Sequence, residues 1–261
     1  MEIKRVIYYE NELNDEFSDA KITPRVIDGN YKYSKGPVWE FVSLIIQNVL
    51  SMPIKLIYPK FKFKIKYVGK EKFKKCKDQG YFIYANHTQA FCDTFIPSVA
   101  NYPKRNFLIV NPENVSMKFM KTLVEMLGAI PIPGTKTAMV NFLKTIHKRI
   151  IQGHSITIYP EAHIWPFYTK IRPFKDVSFK YPVELNTPVF SITNTYHACG
   201  TNYDKVKIVS YIDGPFYPRT EINGKILNKK QIQKDLRDQV YNCMVERSKK
   251  SNIEYIKYIK K

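Results

Sequence analysis

Residues 37–59 combine apolar side chains at a helical spacing with a narrow polar stripe. The apolar positions are Val38, Phe41, Val42, Ile45 and Val49, and the polar stripe consists of Glu40, Ser43, Gln47 and Ser51. This pattern predicts an amphipathic helix. Trp39, Lys35 and Lys55 suit a helix that lies in a membrane interface. A helix packed on an ordinary protein core fits the pattern equally well.

Residues 60–67, "KFKFKIKY", alternate strictly between lysine and apolar side chains. Strict alternation predicts a half-buried strand with lysines on its outer face. Residues 60–77 hold nine lysines and a single acid, Glu71. They therefore form a concentrated basic surface next to the amphipathic segment. Lysines that guard an exposed sheet edge against pairing would give the same pattern.

From residue 81 onward, strand-like and helix-like patterns alternate. The strands are predicted at "YFIYA" (81–85), "FLIV" (107–110), "AIPIP" (129–133), "SITI" (155–158), "TPVFSIT" (187–193) and "KIVSYI" (207–212). Helices are predicted over 114–128, over 136–153 and, as a solvated basic helix, from Asn228 onward.

This order predicts an α/β fold with a central, mostly parallel or mixed sheet flanked by helices. We expect residues 1–59 to form a polar, irregular lead-in followed by the amphipathic membrane-contact helical segment. Residues 60–261 would form the α/β domain.

The composition narrows the class of protein. A formal charge of +19 favours an anionic partner: membrane lipid, nucleic acid or a phosphorylated small molecule. The four cysteines have no metal-ligand spacing, so we expect reduced thiols and no metal site. The longest uncharged apolar run, 41–54, is shorter than the roughly 20 residues that a membrane-spanning helix needs. With a polar, charged start at residues 1–17, we expect neither a signal peptide nor a spanning helix.

His87 and Asp93 follow the strand 81–85, and Asp93 is the only formal charge between Gln79 and Tyr102. Six residues apart, the two side chains cannot meet on a regular helix, so a contact requires a loop. A carboxylate bound to one ring nitrogen would leave the other as a base for a hydroxyl. Since no serine lies in a G-x-S-x-G elbow, the attacking hydroxyl would belong to the substrate. A buried structural pair is the alternative.

"YANHTQAFCD", then "YPEA" with Glu161 74 residues after His87, then "ELNTPVFSIT", together resemble the glycerolipid acyltransferases of phospholipid synthesis. That family carries an N-H-x4-D box, a P-E-G-T-R box at a strand end and a later hydrophobic strand with a proline. Order and spacing match over about residues 61–215.

The resemblance implies an O-acyltransferase similar to those that act on 1-acylglycerol-3-phosphate. His87 would be the general base, Asp93 its orienting partner, and Glu161 an acceptor-binding residue. The co-substrate would be acyl-CoA or acyl-carrier protein, with no metal, cofactor or covalent enzyme intermediate. The protein would sit peripherally, as a monotopic protein, on the cytoplasmic face of a membrane. Its partners would be anionic lipid, the thioester donor and a lipid acceptor, without nucleic acid.

Three departures from the family pattern concern the acceptor. The His box has five intervening residues, "GAIPIPG" (128–134) lacks the acid and arginine of the family's glycine-strand box, and Ile164 replaces the arginine of the Glu box. In the family those arginines are associated with the acceptor phosphate, and a neutral residue cannot replace an arginine fork.

Two explanations follow: other cations bind the phosphate, or the acceptor carries none. The candidate cations are Lys136, His163, Arg172 and Lys175. A thioester hydrolase, and a non-catalytic basic protein that binds membranes or nucleic acid, are the remaining alternatives.

Overall fold

The computed structural model describes residues 3–17, 22–117, 119–199 and 202–261. The helices are α1 (Pro37–Ile45), α2 (Met52–Phe63), α3 (Ile96–Ala100), α4 (Lys121–Met126), α5 (Lys136–Ile151), α6 (Lys180–Glu184) and α7 (Lys229–Ser248). A π-helical turn, Ile46–Leu50, joins α1 to α2. The strands are β1 (Arg5–Tyr9), β2 (Lys66–Val68), β3 (Tyr81–Ala85), β4 (Asn106–Val110), β5 (Ala129–Pro131), β6 (Ser155–Ile158), β7 (Val189–Cys199), β8 (Asn202–Phe216), β9 (Glu221–Ile222), β10 (Lys225–Ile226) and β11 (Ile256–Lys260).

A seven-stranded mixed sheet forms the centre, in the order β2-β8-β7-β3-β6-β4-β5. All neighbouring pairs are parallel except β7 and β8. Strand β3 alternates its side chains between two apolar clusters: Tyr81 and Ile83 belong to one, and Phe82 and Tyr84 to the other. The sheet is therefore covered on both faces, as its continuous hydrophobic strands require. The predicted α/β fold is confirmed.

The prediction of a strand over residues 60–67 is wrong for most of that stretch. Helix α2 continues to Phe63, Lys64 ends it with a left-handed φ of 44°, and β2 begins only at Lys66. Phe63 is buried whereas Phe61 is 79% exposed, although strict alternation would place both on one face. Because a helix turns 100° per residue, it buries one of the two and leaves the other outside. The predicted domain boundary at 59/60 consequently lies inside α2.

Three further expectations change in detail. The lead-in is not wholly irregular, because β1 pairs in parallel with β11 at the other end of the chain. The helix expected over 114–128 is reduced to a short 3-10 turn, Pro112–Val115, and the six-residue α4. Helix α7 is less solvated than expected, since one of its faces is buried in the core. The residues of that face are Ile232, Leu236, Val240 and Met244.

Candidate active site

The candidate site lies at the carboxyl ends of two adjacent parallel strands. Strands β3 and β6 pair from Tyr81–Ser155 to Tyr84–Ile158, so the segments that follow them emerge side by side. His87 comes two residues after β3, and Glu161 three residues after β6. Loops at this edge carry the ligand sites of open α/β sheets, because the backbone is free there to present side chains.

His87 and Asp93 are in direct contact. His87 Nδ1 lies 3.0 Å from Asp93 Oδ2. The same carboxylate oxygen accepts hydrogen bonds from the Thr88 amide at 2.7 Å and the Gln89 amide at 2.8 Å. The segment between them is a loop that ends in a 3-10 turn, Cys92–Thr94, so the additional residue of the His box is accommodated.

The contacts of Asp93 indicate which nitrogen of His87 carries the proton. Because this oxygen already accepts from two amides, it acts as the acceptor toward His87 as well, and Nδ1 is its third donor. Nε2 is then left with a free lone pair, and within the described part of the chain it has no hydrogen-bond partner. The Asp93 side chain is completely buried, while 17% of the His87 side chain is exposed. The carboxylate of the pair is therefore shielded from solvent, whereas the imidazole is partly exposed.

Two further residues, which were not predicted from the sequence, contact the His87–Asp93 pair. The Tyr159 ring stacks on the His87 ring with centroids 4.4 Å apart, and its hydroxyl donates to the Asp93 main-chain oxygen. Asn194 of β7 donates from Nδ2 to Asp93 Oδ1 at 3.2 Å. The one sequence signal for Asn194 was the polar triplet Thr193-Asn194-Thr195 within a hydrophobic strand.

Glu161 lies beneath the His87 loop. Its Oε2 accepts from the His87 amide at 3.0 Å, and its Oε1 accepts from the Arg172 amide at 2.9 Å. The Arg172 guanidinium lies 3.5 Å from Glu161 and also donates to the His163 and Glu12 carbonyls. Burial raises the pKa of Glu161, and Arg172 and the two amides act in the opposite direction.

The sharp turn after Glu161 requires Ala162 to adopt a φ of 65°. This left-handed conformation favours glycine, which is the residue of the resembled Glu box at that position. The chain therefore keeps the turn of the box at some cost in strain.

Comparison with known proteins agrees with this geometry. The family model described as Acyltransferase matches residues 64–195, half of the chain, including His87, Asp93, Glu161 and Asn194. This chain belongs to the acyltransferase family. No curated protein shows significant sequence similarity to it.

The fold is also similar to the crystal structure of the 1-acyl-sn-glycerophosphate acyltransferase PlsC from Thermotoga maritima. The two chains share 15% identity with a TM-score of 0.50, over 82% of this chain and 94% of that one. The resemblance drawn from the three motifs is confirmed as family and fold.

The cations proposed for an acceptor phosphate do not converge on His87 in this acyltransferase. Arg172 is buried against Glu161, and His163 Nδ1 lies 2.8 Å from Glu16 Oε2. Lys175 is exposed, and Lys136 is exposed at the start of α5. Helix α5 follows β5, which is three strand spacings from β3, or about 14 Å. The structure thus brings together His87, Asp93, Glu161 and Arg172.

The polar stripe of residues 37–59 faces the protein. Glu40 pairs with Arg105 at 3.2 Å and with Arg149 at 2.5 Å. Ser43 Oγ donates to the Met126 carbonyl at 2.6 Å, and Arg105 Nε donates to Gln47 Oε1 at the same distance. These contacts fix the helix against the amino-terminal edge of the sheet.

The apolar stripe of the same helix faces outward, the reverse of an ordinary surface helix. Its exposed residues are Val38 (78%), Phe41 (63%), Val49 (60%), Leu50 (64%), Ile54 (59%), Ile57 (54%) and Phe61 (79%). In the described part of the chain, Pro37–Phe63 is the one helical run long and apolar enough to cross a membrane, a candidate that the sequence analysis did not expect. We refer to these seven residues as the apolar face.

A protein nucleophile or a metal is not indicated at the site. Cys92 is 1% exposed, and burial raises the pKa of its thiol to about 12. A buried, protonated thiol is a poor nucleophile. Among the described residues, no cluster of three or more His, Cys, Asp or Glu side chains could hold a metal ion.

Proposed function

We propose that this acyltransferase transfers a fatty acyl group from a thioester, acyl-CoA or acyl-carrier protein, to a hydroxyl of a glycerolipid acceptor. The observation that carries the proposal is the His87–Asp93 pair, with Nδ1 bound to Asp93 at 3.0 Å and with no hydrogen-bond partner for Nε2 among the described residues. A base of this kind, with no protein nucleophile beside it, suits direct attack by a substrate hydroxyl.

The step uses only the side chains described above. His87 Nε2 takes the proton of the acceptor hydroxyl as its oxygen bonds to the thioester carbonyl carbon. The ionised Asp93 stabilises the imidazolium that forms. The C–S bond then breaks, and the leaving thiolate takes the proton back from His87. Products are an ester and a free thiol, and the enzyme returns to its starting state.

The acceptor class follows from the family resemblance, with 1-acylglycerol-3-phosphate as the leading candidate. Ile164 and Gly134 at the positions of the family arginines favour the alternative, a lipid acceptor without a phosphate. If a phosphate is bound, Lys136 is poorly placed to supply the charge, because it follows β5, and the exposed Lys175 is the remaining candidate lysine.

The apolar face supports a peripheral position on a membrane surface, which we propose to be the cytoplasmic face. Glu40 pairs with Arg105 and Arg149, Ser43 donates to the Met126 carbonyl, and Gln47 accepts from Arg105. The helix would have to lose these contacts in order to span a bilayer. Burial of unpaired charges in lipid is costly, so the helix would lie along the surface. Lysines between residues 60 and 77 would add attraction to anionic lipid, on the order of 1 kcal/mol each.

The experiment is thiol release from a long-chain acyl-CoA and from acyl-carrier protein. Each donor is tested with glycerol-3-phosphate, lysophosphatidate, a monoacylglycerol, and no acceptor. His87→Ala is the active-site variant, and His147→Ala, at an exposed position on α5, is the matched control. We expect acceptor-dependent release that His87→Ala abolishes and His147→Ala retains.

Each arm of the assay decides one alternative. Release with lysophosphatidate alone supports the phosphate-bearing acceptor, and release with the monoacylglycerol alone supports the neutral one. Release without any acceptor indicates a thioester hydrolase, since the same base can activate water. An absence of release with every donor, together with lipid or nucleic-acid binding, would favour a non-catalytic basic protein.

A further inference from the structure

We propose that Asn194 is a positioning residue that fixes the Asp93 carboxylate and, through it, the ring of His87. The inference rests on the proposed function, because it concerns the same base. Asn194 is 2% exposed and therefore cannot touch the substrate itself. Its effect has to pass through Asp93.

The two oxygens of Asp93 have unequal support. Oδ2 accepts three hydrogen bonds, from His87 Nδ1 and from the amides of Thr88 and Gln89. Oδ1 accepts one, from Asn194 Nδ2 at 3.2 Å. Every donor to Oδ2 comes from the loop that carries His87, so these bonds can move together with the loop. The bond from Asn194 is the side-chain contact that ties the carboxylate to the sheet.

The orientation of the Asn194 carboxamide is determined by its other contacts. Ser210 Oγ on β8 donates to Asn194 Oδ1 at 2.6 Å. If the carboxamide were reversed, its oxygen would face the Asp93 carboxylate at 3.2 Å, which places two acceptors together. The NH2 group must therefore point at Asp93. Since Ser210 is completely buried, water does not compete for this bond.

The backbone of Asn194 is held to the His87 loop by a second pair of bonds. Asn86 Oδ1 accepts from the Asn194 amide at 2.8 Å, and Asn86 Nδ2 donates to the Asn194 carbonyl at 3.1 Å. The Asn86 side chain thus continues the pairing of β3 with β7 at the point where its backbone turns away. Asn86 and Ser210 align Asn194, and Asn194 aligns Asp93.

Loss of the Asn194 Nδ2 donor would affect His87, the proposed base, as well as the stability of the fold. Without the bond from Asn194, Asp93 Oδ1 is a buried, unsatisfied acceptor, and the carboxylate loses the side-chain contact that ties it to the sheet. The carboxylate can then turn relative to His87 Nδ1, so the ring no longer keeps its proton on that nitrogen alone. The other titratable groups near Asp93 are Tyr159, Tyr196 and Cys92, and Glu161 lies near His87. They are identical in all the variants below and do not account for a difference among them.

The test compares Asn194→Leu, which removes the donor at similar volume, with Asn194→Ser, which keeps a hydroxyl donor. The matched control is Thr193→Val on the same strand, because the buried Thr193 hydroxyl has no hydrogen-bond partner among the described residues. Since hydrogen bonds to charged groups are the strong ones, we expect Asn194→Leu to lower kcat about ten- to hundredfold with KM unchanged. Asn194→Ser should recover part of this loss, and Thr193→Val should match the wild type.

A spectroscopic measurement makes the test independent of turnover and of the acceptor. In 15N-histidine NMR, the wild type should show one His87 tautomer with the proton on Nδ1, and Asn194→Leu should show a mixture. Ser210→Ala, which frees the carboxamide to rotate, should give an intermediate spectrum and serves if Asn194→Leu does not fold.

Two results would overturn the proposal: a kcat of Asn194→Leu equal to that of Thr193→Val, or an unchanged His87 tautomer in both Asn194→Leu and Ser210→Ala. Failure of the proposed function is distinguishable. In that case the wild type releases no thiol from any donor, whereas the NMR spectra still decide the role of Asn194.

Discussion

Replacement of Glu161 by glutamine tests the structural core of the site. Glu161 is 4% exposed, and its carboxylate accepts from the amides of His87 and Arg172 and pairs with the Arg172 guanidinium. Glu161→Gln keeps the shape but removes the charge. It also turns an NH2 group toward a backbone N–H, so one of the two amide bonds is lost.

The magnitude follows from the burial of Arg172. The Arg172 side chain is completely buried, so Glu161→Gln leaves a guanidinium without its counter-charge. The loss of one partner of a buried ion pair typically costs about 3–5 kcal/mol. The domain's free energy of unfolding is itself about 5–15 kcal/mol, so the variant should be folded but strongly destabilised.

The assay is equilibrium unfolding in urea, with the exposed acid Glu184→Gln as the matched control, expected within about 0.5 kcal/mol of the wild type. Arg172→Met and the double variant Glu161→Gln/Arg172→Met complete a thermodynamic cycle. We expect the double variant to be more stable than the sum of the single changes predicts, because no charge is then left unpaired. Thiol release should also fall in Glu161→Gln, since the contacts that hold the His87 loop to the segment around Arg172 are weakened.

Two results would refute this reasoning. A loss of less than about 1 kcal/mol in Glu161→Gln would mean that solvent reaches Arg172 and replaces the counter-charge. Additive losses in the double variant would mean that the two charges are not coupled, and that the amide bonds alone account for the effect.

The remaining predictions concern the membrane, acid stability and the thiol. The double variant Phe41→Ser/Phe61→Ser should weaken binding to anionic vesicles by roughly tenfold or more in a co-sedimentation assay, since two large apolar side chains no longer enter the lipid. Ile226→Ser, at an exposed position outside the apolar face, should leave vesicle binding unchanged. An equal loss of binding in Ile226→Ser would argue against the apolar face as the membrane contact. Burial together with nearby Arg105, Arg149 and Lys104 lowers the pKa of His154 to about 4. The free energy of unfolding should therefore fall by about 1–2 kcal/mol as the pH drops from 6.5 toward 4, because the unfolded chain takes up the proton first. A His154→Gln variant whose free energy of unfolding changes with pH as steeply as that of the wild type would contradict this. Cys92→Ala should retain thiol release, and iodoacetamide should leave the native enzyme active; inactivation by mass-verified modification of Cys92 would argue for a thiol role.

The sequence predicted the α/β fold because the central strands are fully buried. A strand covered on both faces reads as a short continuous apolar run, and β3 and β6 are of this kind. Because β3 and β6 are adjacent, His87 and Glu161 lie at the same edge of the sheet. The alternating segment 60–67 was wrongly predicted to be a strand, because alternation indicates a strand only if one face of the segment is buried. In the fold, Phe63 is buried and Phe61 is exposed, as their positions on helix α2 require.

The rest of the site depends on contacts between distant parts of the chain. Asn194 lies 101 residues after Asp93, and Ser210 a further 16 residues on. Nothing local marks such a pair, since an asparagine in a strand is usually only a polar residue that needs a partner. The terminal pairing of β1 with β11 was missed for the same reason: each strand has only five residues, and the two meet only in the fold.

The surroundings of Arg172 bear on the lost arginines of the family. For Arg172 to bind an acceptor phosphate, its guanidinium would have to leave Glu161 and the carbonyls of Glu12 and His163. This movement would leave the buried Glu161 carboxylate without its counter-charge, which costs several kcal/mol. One contact with a phosphate does not offset that cost. Arg172 therefore maintains the Glu161 turn and is not a substitute for the missing arginines. A phosphate would then have to be recognised by exposed lysines. The reaction with monoacylglycerol, the acceptor without a phosphate, is therefore the decisive comparison in the thiol-release assay.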